Sequence, residues 1–241
     1  MKTTLCCMPL QSALCSTALI SLFPVLSLPC KKSIGTRCLS LALENPQGST
    51  MKDSILDSDS RRLILLRHAE SAWNNFSLKD HDRPLSAVGR AAAANVAHKL
   101  QQLGWVPKLI LCSDATRTKE TLSIMQEQVR SFLHAAVHFC PSFYSVAAMD
   151  GQTSEHLQEM ICKFSSDDIF TVMCMGHNKG WEEAASTFTA SVIELKTCNA
   201  ALLEAKGKSW EEAFTSAGLG GWKLHGIVTP DCSREINDPP T

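Results

Sequence analysis

The sequence predicts an α/β fold: a single domain with a mostly parallel sheet, helices on both of its faces and an antiparallel strand near the C-terminus. Three observations carry that expectation. Of 241 residues, 44% are hydrophobic and 20% charged, a balance that suits a packed core and excludes a disordered or collagen-like chain. Short apolar runs of strand length then alternate four times with longer, helix-patterned stretches. Those runs are apolar throughout, so they suit strands buried on both faces, as in parallel sheets joined by right-handed crossovers.

The first run, residues 63–66 (LILL), is flanked by arginine on both sides. Ser86 is of the residue type that caps helices, and it precedes an alanine-rich stretch over 87–103 that Gly104 stops, with Pro107 just beyond. Residues 108–112 (KLILC) give the second strand and 115–129 the second helix. The third strand is expected over 135–144, interrupted at Pro141, and the third helix over 154–164. Residues 168–175 (DIFTVMCM) give the fourth strand and 180–187, rich in Glu and Ala, the fourth helix. No clear helical pattern separates 199–205 from 222–228, so both read as late strands, at least one antiparallel, closing the edge of the sheet. Trp181, Trp210 and Trp222 read as core or edge packing.

Charge and the N-terminus narrow the function classes. Lys and Arg total 23 against 24 Asp and Glu, which leaves no basic field to drive nucleic-acid binding. Residues 1–50 nevertheless carry four basic side chains against the single acid Glu44, a net +3, and the remainder carries −4. The apolar stretch over 13–28 is broken by Ser16, Thr17, Ser21, Pro24 and Ser27 and falls short of the roughly 20 apolar residues of a membrane span. A secretory signal fits in part through Lys2 and the run after it, but Lys31, Lys32 and Arg37 follow the apolar stretch and no acid precedes Glu44. Residues 1–50 therefore read as an organellar transit peptide and linker, cleaved near Arg37 and Cys38. High Ser with little Arg leans to chloroplast over mitochondrion. The polar residues 45–60 form a linker or ragged start, and the domain is expected over 61–230.

Beyond residue 50, Cys112, Cys140, Cys162, Cys174, Cys198 and Cys232 show no C-x-x-C and no zinc-finger spacing. Cys112, Cys140 and Cys174 fall in apolar runs and read as small buried hydrophobes, without a disulfide framework. His134 and His138 are four apart but lack a nearby third ligand, so no metal site and no cofactor is expected.

Ligands of open parallel sheets bind beyond the carboxyl ends of the strands. Three of the four ends carry unusual chemistry: Arg67-His68-Ala69-Glu70 after the first, Ser113-Asp114-Ala115-Thr116-Arg117 after the second, and Gly176-His177-Asn178 after the fourth. A histidine or an arginine alone in such a place is ordinary. Two of each, brought to one end of one sheet, make a candidate site.

These blocks carry a resemblance. LLRHAESAWNN resembles the R-H-G-E-S-x-x-N signature of the histidine phosphatase superfamily, the phosphoglycerate-mutase-like proteins, at Arg67, His68, Glu70, Ser71 and Asn74, with Ala69 in place of Gly. SDATRTKETL resembles that family's second block at Ser113, Arg117 and Thr121, and MGHNKG its third at Gly176, His177 and Asn178. DRPLSAVGR and WKLHGIVTP are similar to elements of the compact SixA-type phosphohistidine phosphatases, so the resemblance spans about 61–230.

The resemblance implies a phosphatase acting on a phosphate monoester or phosphohistidine. His68 would attack phosphorus through a neutral ring nitrogen while its other nitrogen donates to a backbone carbonyl. Arg67 and Arg117 would grip the phosphoryl oxygens with planar forks, and His177, protonated beside the anion, would donate to an oxygen. Asn74 would add a neutral hydrogen bond, and Arg83 either widens the positive rim or makes a structural salt bridge. A general acid is not evident: Asp150 and Glu155 are the nearest carboxylates after the third strand, and both read more simply as a turn residue and an early helical acid. That gap favours phosphohistidine or another phosphoramidate, and the short spacing between Arg117 and His177 leaves no room for a large cap. The implied partner is a phosphorylated small molecule or a phosphohistidine protein. Two alternatives stay open: a phosphoglycerate-mutase-like phosphoryl transferase, and a catalytically weak phosphate-binding regulatory module.

Overall fold

A computed structural model describes residues 59–74, 76–149 and 151–230. Two compact units divide the chain between Lys52 and Asp53, and every described residue lies in the second. The expected transit peptide lies outside the described residues.

Strand β1 (Ser60–Arg67) holds the middle of a six-stranded sheet. On one side of it lies β4 (Thr171–Gly176), then β2 (Leu109–Cys112) and β3 (Ala136–Phe139), all parallel. On the other side β5 (Ala200–Lys206) runs antiparallel to β1, and β6 (Lys223–Val228) pairs antiparallel with β5 at the edge. The mostly parallel sheet with an antiparallel strand near the C-terminus is thus observed.

The period of two along the buried strands divides the core between two helical layers. Leu63, Leu65, Leu109, Leu111, Val172 and Cys174 pack on the side of α3 (Ser142–Val146), α4 (Thr153–Phe164), α5 (Asn178–Thr189) and α6 (Trp210–Ala217). Ile64, Leu66, Ile110, Cys112, Met173 and Met175 pack on the side of α1 (Ala87–Gln102) and α2 (Thr116–Gln128), against Val96, Ala97, Leu100, Leu122 and Met125. Ser86 caps α1 through a 3.0 Å bond from the Gly89 amide. The alanines of α1 let this helix lie close on the strands.

Two expectations change. The third strand ends at Phe139, because Pro141 has no N–H for the ladder and takes helical angles (φ −57°, ψ −30°) as the N-cap of α3. And a helix, α6, does separate the last two strands: Ser209 caps it by accepting from the Glu212 amide at 3.1 Å, and Trp210, Ala213 and Phe214 form its buried face beside Trp222 and Phe188. Ser209 with Glu212 is the spacing of a capping box, a signal present in the sequence.

Candidate active site

Register brings the distant blocks together. Arg67 pairs with Gly176 and Cys112 with Met175, so β1, β2 and β4 end level with one another. The residues one step beyond, His68, Ser113 and His177, therefore leave the sheet side by side. Bonds from the His68 amide to the Gly176 carbonyl (3.0 Å) and from the Ser113 amide to the Met175 carbonyl (2.9 Å) extend the ladders to that point. Gly176 is required there: a Cβ would overlap the Trp181 ring, which tucks under the end of β4 and donates to the Cys174 carbonyl at 3.0 Å.

His68 is 8% exposed, and its Nδ1 lies 2.7 Å from the Ala69 carbonyl oxygen. A carbonyl only accepts, so Nδ1 carries the proton and the Nε2 lone pair points the other way, where it accepts from Arg117 Nε at 3.1 Å. Burial pushes its pKa down to about 4; the bond to Ala69 opposes this and the Arg117 and Arg67 charges add to it. The ring is neutral near pH 7. Ala69 in place of glycine costs nothing here, since its φ is not positive: among the described residues only Ala190 and Cys198 are non-glycines with positive φ. Its amide donates to Thr121 Oγ1 at 3.1 Å, which ties the turn after β1 to α2.

His177 stands 5.2 Å from His68 between ring centres. Its Nε2 lies 2.8 Å from Ser113 Oγ and its Nδ1 3.3 Å from Arg117 Nη2. Burial, then the His68 and Arg117 charges, push its pKa down to about 3. The free site therefore holds a neutral His177; the protonated form was expected beside a bound anion.

Arg117 emerges from the first turn of α2 and is 7% exposed. It ties the site together: besides both histidines, Nη1 donates to the Asp80 backbone carbonyl and Nη2 to Asp80 Oδ2 at 2.9 Å. Asp80 opens a short 3-10 turn (Asp80–Asp82) and accepts a further bond from the Tyr144 hydroxyl at 2.9 Å. Burial alone would raise the Asp80 pKa, but the Tyr144 bond and the Arg117 and Arg83 charges outweigh it and hold the carboxyl low. Arg67 is half-buried, with Nη1 bonded to the Leu195 carbonyl at 2.7 Å and Nε buried without a partner among the described residues. Burial pulls its pKa down, against the attraction of Glu182.

Asp80, Arg117, Tyr144, His177, Asn178 and Lys179 border a cleft of about 330 Å³. A larger hollow of about 440 Å³ beside α1 contains neither histidine and neither arginine of the cluster, so the chemistry lies in the smaller one. Arg83 does not enter the cluster directly: its Nη1 lies 3.2 Å from Asp80 Oδ1 and its guanidinium stacks 3.7 Å from the centre of Trp73. That is the structural salt bridge, one step from Arg117. Asn74 lies exposed in the irregular loop after Ser71, not on a helix, and no hydrogen bond joins it to the cluster among the described residues. Glu155 sits exposed in the first turn of α4, beside Gln152, His156 and Glu159 and away from this cleft. Asp150 lies outside the described residues. His138 stacks on Phe164 at 4.3 Å and His134 ends a 3-10 turn.

Sequence reading missed Asp80 and Tyr144. Tyr144 is the only tyrosine in the chain and closes the third run, which was a usable signal. Asp80 had none, since its contact spans 37 residues to Arg117 and 64 to Tyr144.

Comparison with known proteins bears on the family and the fold. The family profile of the histidine phosphatase superfamily (branch 1) matches residues 63–161. An uncharacterized protein of Arabidopsis thaliana, named as chloroplastic, is 68% identical over 176 residues, covering 73% of this chain and 81% of its own. An uncharacterized protein of Mycobacterium tuberculosis is 25% identical over 174 residues, covering 71% and 96%. The protein histidine phosphatase SixA, solved with tungstate, shares the fold with a TM-score of 0.55 at 16% identity over 70% of this chain and 97% of its own. An Agrobacterium tumefaciens protein assigned as the phosphohistidine phosphatase SixA does so with a TM-score of 0.55 at 22% identity over 71% and 99%. With its profile matched, its blocks in order and a close relative covered over most of its length, the chain belongs to the histidine phosphatase superfamily, with a SixA-like fold.

Proposed function

We propose that the protein is a phosphatase that hydrolyses phosphohistidine or a phosphate monoester through a phosphohistidine intermediate on His68. The observation that carries the reading is the disposition of the His68 ring: Nδ1 anchored to the Ala69 carbonyl, and the Nε2 lone pair turned toward Arg117 in a buried, neutral imidazole. In the first step the Nε2–P bond forms as the bond from phosphorus to the leaving nitrogen or oxygen breaks, and the leaving group collects a proton. In the second, a water oxygen bonds to phosphorus, the N–P bond breaks, and the water gives up a proton to solvent.

Arg117 stabilises the three peripheral oxygens as charge shifts onto them, and Arg67 brings the unpartnered Nε–H. His177 supplies a ring N–H. Arg83 acts through Asp80, and Asn74 joins only if its loop closes over a ligand. Glu155 lies elsewhere and Asp150 outside the described residues, so among the described residues no sequence candidate for the general acid borders the cleft, which favours a labile P–N bond over an alkyl ester. The SixA proteins that share this fold are named for the same substrate class.

The test is turnover by the purified chain of a phosphohistidine peptide, p-nitrophenyl phosphate and phosphoglycerate, with the phosphoenzyme trapped in alkali and decomposed in acid. His68→Ala should abolish both turnover and trapping. Full activity in that variant would overturn the role of His68, and transfer of phosphate to glycerate acceptors would favour the mutase. For localisation we propose the chloroplast, on the basic, Ser-rich first 50 residues and the name of the Arabidopsis relative. A fluorescent fusion to residues 1–50 that stays outside plastids would contradict it.

A further inference from the structure

The hydrogen-bond inventory around His177 does not balance in the free site. Ser113 is fully buried, and among the described residues its Oγ has two partners: the Ala115 amide, which donates to it at 3.4 Å, and His177 Nε2. Its own hydroxyl proton therefore has one acceptor within reach, a deprotonated Nε2. On the other side of the ring, Nδ1 faces Arg117 Nη2, which only donates. With the proton on Nε2, the Arg117 bond is made but the Ser113 hydroxyl proton is stranded. With the proton on Nδ1, Ser113 is satisfied but two donors confront each other. Each tautomer leaves one buried donor unpaired, a costly arrangement.

An acceptor-only group between His177 and Arg117 resolves the conflict. A phosphoryl oxygen can take Nδ1–H and Nη2–H together, leaving Nε2 free to accept from Ser113. We propose that Ser113 is a positioning residue that fixes the Nδ1–H tautomer of His177, so that this histidine donates to the phosphoryl group as a neutral imidazole. Resting on the phosphatase reading above, the proposal goes further in naming the protonation state at which the second histidine works and the side chain that sets it. Ser113 Oγ is suited to the part because a hydroxyl both donates and accepts. The neutral form also avoids adding a positive charge beside His68 after β1, Arg117 of α2 and His81 of the 3-10 turn, against which Asp80 pulls the other way, while Tyr144 of α3 meets the ring edge-on and Lys179 of α5 borders the same cleft.

The direct test is long-range proton–nitrogen NMR of the ¹⁵N-histidine-labelled full chain, with His177 assigned by comparison with His177→Gln. On saturation with inorganic phosphate near neutral pH, His177 should show a protonated Nδ1 and an unprotonated Nε2. A doubly protonated ring, or a proton remaining on Nε2, overturns the proposal. If phosphate perturbs neither histidine nor Arg117, the phosphatase reading itself fails, a different result from the wrong tautomer.

Kinetics supply the second test. In Ser113→Ala the hydroxyl donor is gone, so turnover of p-nitrophenyl phosphate should fall about tenfold, the worth of one hydrogen bond. The loss should be similar across the neutral range, because His177 stays neutral there and, without the hydroxyl, divides between its two tautomers. Ser113→Thr, which keeps the hydroxyl, should restore the level. A loss with no recovery in the threonine variant marks Ser113 as packing alone and overturns the proposal.

Discussion

At the scale of single residues, the site depends on geometry that charge alone does not reproduce. Arg117 contacts His68, His177 and Asp80 through three different nitrogens, a pattern set by its planar fork. Lysine keeps the positive charge but offers one compact ammonium, so Arg117→Lys should lose most of the stabilisation that Arg117→Ala loses. Both should raise the barrier by about 3–4 kcal/mol, as when a preorganised oxyanion donor is removed. Rates for p-nitrophenyl phosphate check this, and a lysine variant close to wild type would show that charge suffices. The neutrality of His68 makes a second prediction. Protonation occupies the Nε2 lone pair, and burial holds that event down to about pH 4, so kcat/KM should stay high through pH 5 and fall only toward that value. An acid limb near the ordinary histidine range of 6.5 would mean that the free ring is far more solvated than its position implies.

At the scale of elements, the turn from β4 into α5 is where sheet and site are coupled. The His177 backbone leaves β4 in extended geometry and N-caps α5, and the first buried residue beyond it, Gly180, packs against the Ala147 backbone of the α3 end. One residue upstream, Gly176 leaves the space the Trp181 ring fills. Gly176→Ala forces that ring or the strand end to shift, which should destabilise the fold by about 1–3 kcal/mol, the range for overpacking a close-packed core. Urea unfolding reads it, and Trp181→Phe in the same background should recover part of the loss by vacating space.

These elements also show what was legible beforehand. The motifs around His68, Arg117 and His177 each sit directly after an apolar run, so local pattern was enough to place them at strand ends, and sheet register did the rest. The limits were nonlocal or masked by composition. Pro141 ended β3 five residues before the run of apolar residues did, and Trp210 to Ala217, hemmed by glycines, hid a helix whose cap was readable at Ser209. The neutrality of His177 followed from burial beside His68 and Arg117, which no single block reveals.

At the scale of the whole molecule, two buried neutral histidines make stability a function of pH. In the unfolded chain both rings take up protons near 6.5, whereas in the folded protein His68 does so only at about 4 and His177 at about 3. As pH falls below 6.5 the unfolded state binds more protons, so folding is progressively disfavoured until the folded rings also titrate. The contribution is fully present above pH 6.5 and is lost between there and about pH 3–4. For His68 alone it is on the order of 3 kcal/mol, a substantial part of the roughly 5–15 kcal/mol that holds a domain together. His81, raised by Asp114 and Asp82, acts in the opposite direction, but its exposure screens the effect. Asp80, held low, adds its own loss only in more acid solution. Urea midpoints of the full chain should therefore drop steeply between pH 6.5 and 4.5, and the double variant His68→Gln, His177→Gln should flatten that slope while leaving the fold intact at pH 7.5. An equally steep slope in the double variant would assign the acid sensitivity to other groups and would mean that the paired imidazoles are not held neutral by burial.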